Sequence, residues 1–151
     1  MRMVSRSIAS ASASVLPGGR ASMTRGDFSQ LVERVVASIP ESFRQHFENL
    51  VFVVEDVADA QLLAEVGYGP DEELLGFYRG FPFSERFHDL VPAEPDMIYL
   101  FQRSIEAEAA DTGLPVVQVV RETVAHEVAH YFGFSEQDLD RFEALWASGG
   151  A

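Results

Sequence analysis

The chain has 151 residues, of which 47% are hydrophobic, and this predicts one globular domain with its own core. It contains no cysteine, so disulfides, thiolate zinc sites and cysteine nucleophiles are excluded. The net charge is −13 and every basic residue is an arginine, which argues against a nucleic-acid partner because phosphate backbones repel an acidic protein.

Residues 1–26 differ in composition from the rest of the chain. They contain four arginines and no acidic residue, and they are rich in serine and alanine. This composition predicts a disordered N-terminal extension, followed by one domain over residues 27–151. A start of translation at Met23 is the alternative explanation for the extension.

The sequence predicts a soluble, cytoplasmic protein with no membrane partner. No apolar run approaches the ~20 residues that span a bilayer. The N-terminal extension is too polar for a secretory leader, although it leaves export or transit open. The oligomeric state cannot be inferred from these features.

The first half of the domain predicts short helices around one strand. Asp27 is a candidate cap for a helix whose apolar residues recur at helical spacing until Pro40 ends it. A short helix over residues 41–48 then leads into a β-branched strand over 51–54, and residues 59–66 form another short helix.

Two more strands are predicted over residues 74–79 and 97–102, separated by a proline-containing loop that holds His88. Pro115 opens the longest helix, which Gly133 ends. The order of these elements predicts an α+β domain with a small sheet and a further C-terminal helix.

The long helix carries the segment His126-Glu127-Val128-Ala129-His130. Residues four apart lie on one face of a helix, so the two imidazoles can point at one metal ion. Glu127 is offset from that axis, which makes it the candidate general base for a zinc-activated water. The alternative interpretation is a structural pair of histidines.

A third zinc ligand is needed to complete such a site. Glu136 follows Gly133 by three residues, where metzincins carry their third ligand, and is the preferred candidate. Asp140 is the alternative, either as the third ligand or as a residue that orients a ligand histidine. The remaining candidates are Asp138, which with Ser135 also predicts a capping box, and Glu143, His46 and His88.

Three segments together resemble the small bacterial zincin-like metallopeptidases, also called minimal zincins. They are Leu74-Leu75-Gly76-Phe77-Tyr78, the strand over 96–101, and the extended motif that ends at Glu136. The resemblance implies a compact zincin-like domain whose small mixed sheet packs on the active-site helix. It also implies that an edge strand pairs with the substrate, for which 97–102 is the candidate and an internal strand the alternative. No methionine follows Met97, so the Met-turn of metzincins is absent.

We therefore expect a zinc-dependent metallopeptidase that hydrolyses peptide bonds in a peptide or protein substrate. One Zn²⁺ per chain is expected, held by His126, His130 and Glu136, with Glu127 as the general base. The alternative is a non-catalytic binding or regulatory protein with a zincin fold and a vestigial metal site. A weaker alternative is metal-dependent hydrolysis of a non-peptide amide.

Overall fold

A computed structural model describes residues 4–7, 22–69, 72–80 and 95–149. Within these ranges the chain forms four strands and six helices. In chain order they are β1 (Val4–Ser7), α1 (Arg25–Ala37), α2 (Glu41–Arg44), β2 (Leu50–Glu55), α3 (Ala60–Glu65), β3 (Glu72–Arg79), β4 (Asp96–Phe101), α4 (Gln102–Thr112), α5 (Val116–Phe132) and α6 (Glu136–Ala147).

The four strands form one mixed sheet in the order β1-β3-β4-β2. β3 is antiparallel to both β1 and β4, whereas β2 is parallel to β4. β4 is therefore an internal strand, and the expectation that it forms a free edge is wrong. The reason is the full-length pairing of β2 with β4, from Leu50 opposite Asp96 to Glu55 opposite Phe101.

The sheet separates two hydrophobic clusters. The larger cluster unites side chains of α1, α4, α5 and α6 with one face of β3 and β4, and the smaller one joins the other face to α3. Alternation along β4 explains this division, since Ile98 and Leu100 enter the larger cluster and Tyr99 and Phe101 the smaller. The α+β prediction, with a small mixed sheet on the long helix and a C-terminal helix after it, is confirmed.

Helix α5 lies at the centre of the larger cluster, in contact with α1, α4, α6, β3 and β4. A helix packed on several sides has apolar residues around most of its circumference. The valines at 119, 120, 124 and 128 are all buried, which fits this position. The segment His126 to His130, called the HExxH segment below, therefore lies on a helix that packs against three helices and the sheet.

Some local predictions differ from the structure. α4 was not predicted, because its sequence contains few apolar residues and its start has no side-chain cap. α1 is capped by Thr24, whose Oγ1 accepts a hydrogen bond from the backbone N–H of Asp27 at 3.0 Å. Asp27 is thus the third residue of the helix and not its cap.

The N-terminal segment also contains structure that composition did not indicate. Val4–Ser7 forms β1, and α1 already begins at Arg25, so the prediction of disorder is wrong for these residues. The division of the chain at residue 27 stays a prediction. The loop with His88 lies outside the described residues. No helix in the described ranges has the length and apolar character needed to cross a membrane.

Candidate active site

Helix α5 ends in a reversal built around Gly133. Gly133 has a left-handed backbone, with φ 75° and ψ 33°, a conformation that glycine adopts without steric penalty. Its N–H bonds the carbonyl of His130 at 3.2 Å, and the N–H of Phe134 bonds the carbonyl of Ala129 at 2.9 Å. These two bonds define a Schellman motif, which confirms that Gly133 ends the helix.

Helix α6 begins at Glu136, and its N-cap, Ser135, forms the predicted capping box. The Asp138 N–H donates to Ser135 Oγ at 3.1 Å, and the Ser135 N–H donates to Asp138 Oδ2 at 3.1 Å. The hydrogen bonds from Ser135 hold the pKa of the Asp138 carboxyl below its usual range. Asp138 thus serves the helix start, which weakens its candidacy as a metal ligand. Glu136 is the first residue of α6 and is exposed.

Glu127 and His130 form the buried half of the site. Glu127 has no solvent-exposed surface, and its Oε1 lies 3.1 Å from Nδ1 of His130, whose side chain is 11% exposed. In the imidazole tautomer that carries its proton on Nδ1, this contact is a hydrogen bond donated by His130 to Glu127. In that tautomer the Nε2 atom is the one with a lone pair for a metal ion.

The sheet approaches this pair at Gly76, a residue of β3. A Cβ atom placed on Gly76 would lie 2.6 Å from Cγ2 of Thr123, 3.1 Å from the Tyr99 carbonyl oxygen and 3.3 Å from Cγ of Glu127. A side chain at this position would therefore collide with α5. The sequence contained the signal, since a glycine inside a strand pattern marks a close backbone approach, but its role beside Glu127 was not recognised.

Aromatic packing fixes the last turn of α5. Tyr131 is fully buried, its ring meets those of Tyr78 and Phe47 edge to face, and its hydroxyl accepts the Glu48 N–H at 2.8 Å. Phe132 stacks on Phe134 with ring centres 5.1 Å apart. These contacts orient the helix turn that carries His130. Sequence reasoning did not assign them a role.

The other two proposed ligands, His126 and Glu136, lie at the surface, and so does the alternative Asp140. Among the residues that the structure describes, no three His, Asp or Glu side chains are already gathered into a metal-holding group. The ligand set of His126, His130 and Glu136 therefore stays a prediction.

The remaining candidates for the third ligand lie away from the HExxH segment or outside the described residues. Glu143 lines a groove between α5 and α6 with Val117 and Arg121, at the opposite end of α5 from His130. His46 is exposed after α2, and its carbonyl is 3.4 Å from the Tyr131 hydroxyl. His88 lies outside the described residues.

A sequence profile of zincin-like metallopeptidases matches residues 47–146, which is about two thirds of the chain and includes β2 to α6. With this match, the chain belongs to the zincin-like metallopeptidase family, as its resemblance to minimal zincins implied. No curated protein matches the chain. The family describes a peptidase or hydrolase class, and it leaves the individual substrate open.

Proposed function

We propose that this protein is a zinc-dependent metallopeptidase that hydrolyses peptide bonds in peptides or proteins. The observation that carries the proposal is the contact between Glu127 and His130, at 3.1 Å, on the central helix of a zincin-like chain. It brings a carboxylate, the group type that serves as general base, beside an imidazole that can ligate a metal through Nε2.

The donor chemistry fits zinc. Two imidazoles and one carboxylate form an established catalytic ligand set, which leaves a coordination position open for water or substrate. His126 and His130 would supply the imidazoles and Glu136 the carboxylate. When bound, zinc supplies a Lewis acid that polarises the scissile carbonyl and lowers the pKa of water toward about 7.

Glu127 then transfers the protons of the reaction. Glu127 accepts a proton from the attacking water as the water oxygen bonds to the carbonyl carbon of the peptide. The same carboxyl returns this proton to the leaving amine as the C–N bond breaks, so no covalent intermediate with the protein forms. Before the reaction, the contact of His130 Nδ1 with Glu127 Oε1 at 3.1 Å orients the imidazole.

Metal content and one substitution test this function. Protein prepared without chelators is expected to contain about one zinc per chain, and Glu127→Gln should retain zinc while turnover of a peptide library falls by about 10²–10⁴-fold. Glu122→Gln is the matched control, because it makes the same change at an exposed position of the same helix. Zinc well below one per chain, or unchanged turnover in Glu127→Gln, would contradict the proposal.

The complete burial of Glu127 favours one alternative, a zincin-fold binding protein without catalytic activity. A general base must reach water and substrate, and a carboxylate without exposed surface does so only after a neighbouring group moves. Under this alternative the wild-type protein binds zinc, yet no peptide in the library is cut in a Glu127-dependent manner. The two functions therefore predict different results in the same assay.

A further inference from the structure

The outer edge of β3 is covered by a segment of the chain that lies far from it in sequence. β1 pairs with β3 over Val4–Ser7, while β4 occupies the opposite side of β3. Among the strands that the structure describes, β3 would be the edge of the sheet without β1, and its outward N–H and C=O groups would lose their strand partner. Such an edge binds extended peptides by adding a strand.

This edge runs directly beside the general base of the proposed site. In the register, Val4 lies opposite Gly76 and Ser5 opposite Leu74, so Leu75 is an extra residue that forms a β-bulge in β3. Gly76 is the residue whose added Cβ would lie 3.3 Å from Cγ of Glu127. β1 also contacts α5. An extended backbone in the position of β1 thus passes the part of β3 that touches Glu127.

The two strands have complementary charges in sequence. Residues 1–26 carry four arginines and no acid, whereas β3 begins with Glu72 and Glu73. The backbone register sets Arg6 opposite Glu73 and Ser7 opposite Glu72. Opposite charges at facing positions of an antiparallel pair are favourable, so this edge suits an extended segment that carries a basic residue.

The pairing of β1 is short enough to be reversible. It extends over four residues, and a backbone hydrogen bond adds only about 0.5–1.5 kcal/mol net to stability. A longer peptide that pairs with more of β3 can therefore compete with β1.

We propose that residues 4–7 of this chain act as an intramolecular competitor, which occupies the outer edge of β3 against extended, basic peptide segments. An incoming peptide binds only when it displaces β1. The inference specifies where the peptide of the proposed function docks and in that respect rests on that function. Peptide binding can nevertheless be measured without turnover.

The test uses the full-length chain and a fluorescent decapeptide with the sequence of residues 1–10. The variant Ser5→Pro/Arg6→Pro removes two adjacent N–H groups, one of which faces β3, because alternate residues of a strand face its neighbour. The control Ser5→Ala/Arg6→Lys keeps both N–H groups and the charge. Fluorescence anisotropy measures binding, and hydrogen exchange measures protection of residues 72–76.

The proline variant is expected to bind the decapeptide at least about tenfold more tightly than wild type, since a site that is nine-tenths occupied shows a tenfold weaker apparent affinity. Its amides in residues 72–76 should exchange faster, whereas the control should match wild type in both measurements. A decapeptide with Arg6→Glu should bind more weakly. Equal affinity for wild type and proline variant, or no binding to either, would overturn the proposal.

A replacement variant and a comparison with hydrolysis separate misfolding and loss of catalysis from loss of docking. If circular dichroism shows that the proline variant is unfolded, full-length Arg6→Glu replaces it, and its affinity for the wild-type decapeptide must exceed that of wild type. A protein that binds the decapeptide as expected but never hydrolyses peptides would contradict the metallopeptidase proposal and support the docking edge. Failure of the docking edge alone would leave Glu127-dependent hydrolysis unaffected.

Discussion

The two halves of the candidate site are built differently. The inner half, Glu127 and His130, lies between the sheet and the end of α5 and is joined by a hydrogen bond of 3.1 Å. The outer half, His126 and Glu136, is exposed to solvent. The inner half is buried, and under the proposed ligand set the outer half would reach its ligating arrangement on binding metal.

This difference separates folding from metal binding. Inner-half residues influence the stability of the metal-free protein, because the loss of one partner leaves a buried polar group behind. Outer-half residues contribute little to that stability, since surface substitutions usually change it by less than about 0.5 kcal/mol. The following predictions test this contrast, beginning with the largest expected effect.

Substitutions in either half should lower the affinity for zinc, whereas only a substitution in the inner half should lower the stability of the zinc-free protein. His126→Ala, His130→Ala and Glu136→Ala are each expected to weaken zinc binding by more than the roughly 10–100-fold that loss of a ligand-orienting residue causes. Of the three, only His130→Ala should also destabilise the zinc-free protein, by about 1–3 kcal/mol. Competition with a chelating dye and urea unfolding measure the two quantities.

Asp140→Ala provides the comparison for the third ligand. If Asp140 only orients a ligand histidine, its loss should weaken zinc binding less than the loss of Glu136. The opposite ranking would assign the third ligand to Asp140. Equal destabilisation by His126→Ala and His130→Ala would show that the two halves do not differ as described.

The close contact between β3 and α5 leads to a second prediction. Gly76→Ala should destabilise the protein by about 1–3 kcal/mol, because its Cβ would lie 2.6 Å from Cγ2 of Thr123. Thr123→Ser removes that Cγ2 atom and should recover part of the loss. Gly69→Ala is the control, since an added Cβ there meets no atom within 4 Å. Equal effects of Gly76→Ala and Gly69→Ala in thermal unfolding would contradict this contact.

The smallest expected effect concerns the start of α6 and its pH dependence. Because hydrogen bonds lower the folded-state pKa of Asp138, its ionised form stabilises the fold above its unfolded pKa of about 3.9. This stabilisation decreases as the pH falls below that value and is lost through the folded-state pKa. Urea midpoints of wild type and Asp138→Asn should therefore differ at pH 7 and converge as the pH falls through the folded-state pKa of Asp138.

The effect of Asp138→Asn on the urea midpoint should be smaller in a Ser135→Ala protein, because that substitution removes the hydroxyl of the capping box. A difference between wild type and Asp138→Asn that stays constant over the whole acid titration would contradict a role for the ionised carboxylate.

Local sequence signals predicted the elements around the site well. The capping box, Gly133 and the apolar spacing of α5 act over a few residues, so they could be recognised without knowledge of the fold. α4 was missed because it follows β4 without a capping side chain and owes its burial to Ile105 and Ala109 alone among its hydrophobic residues. Tertiary packing, and not a local pattern, determines that helix.

Long-range pairing could not be predicted from one sequence. The strand order, the internal position of β4 and the addition of β1 depend on contacts between segments that are distant along the chain. Gly76 illustrates the limit, since its sequence position indicated a close approach but not the helix that approaches it. The pairing of Glu127 with His130 likewise depends on side-chain rotamers that a motif does not specify.

β1 also has a consequence for how the protein behaves at high concentration. An uncovered β3 edge on one molecule is complementary to the same edge on another, and such edges associate into extended sheets. A shortened chain that begins at Met23 would lack the strand that pairs with β3 over Glu72 to Gly76. A preparation of that shortened chain is therefore expected to aggregate more readily than the full chain.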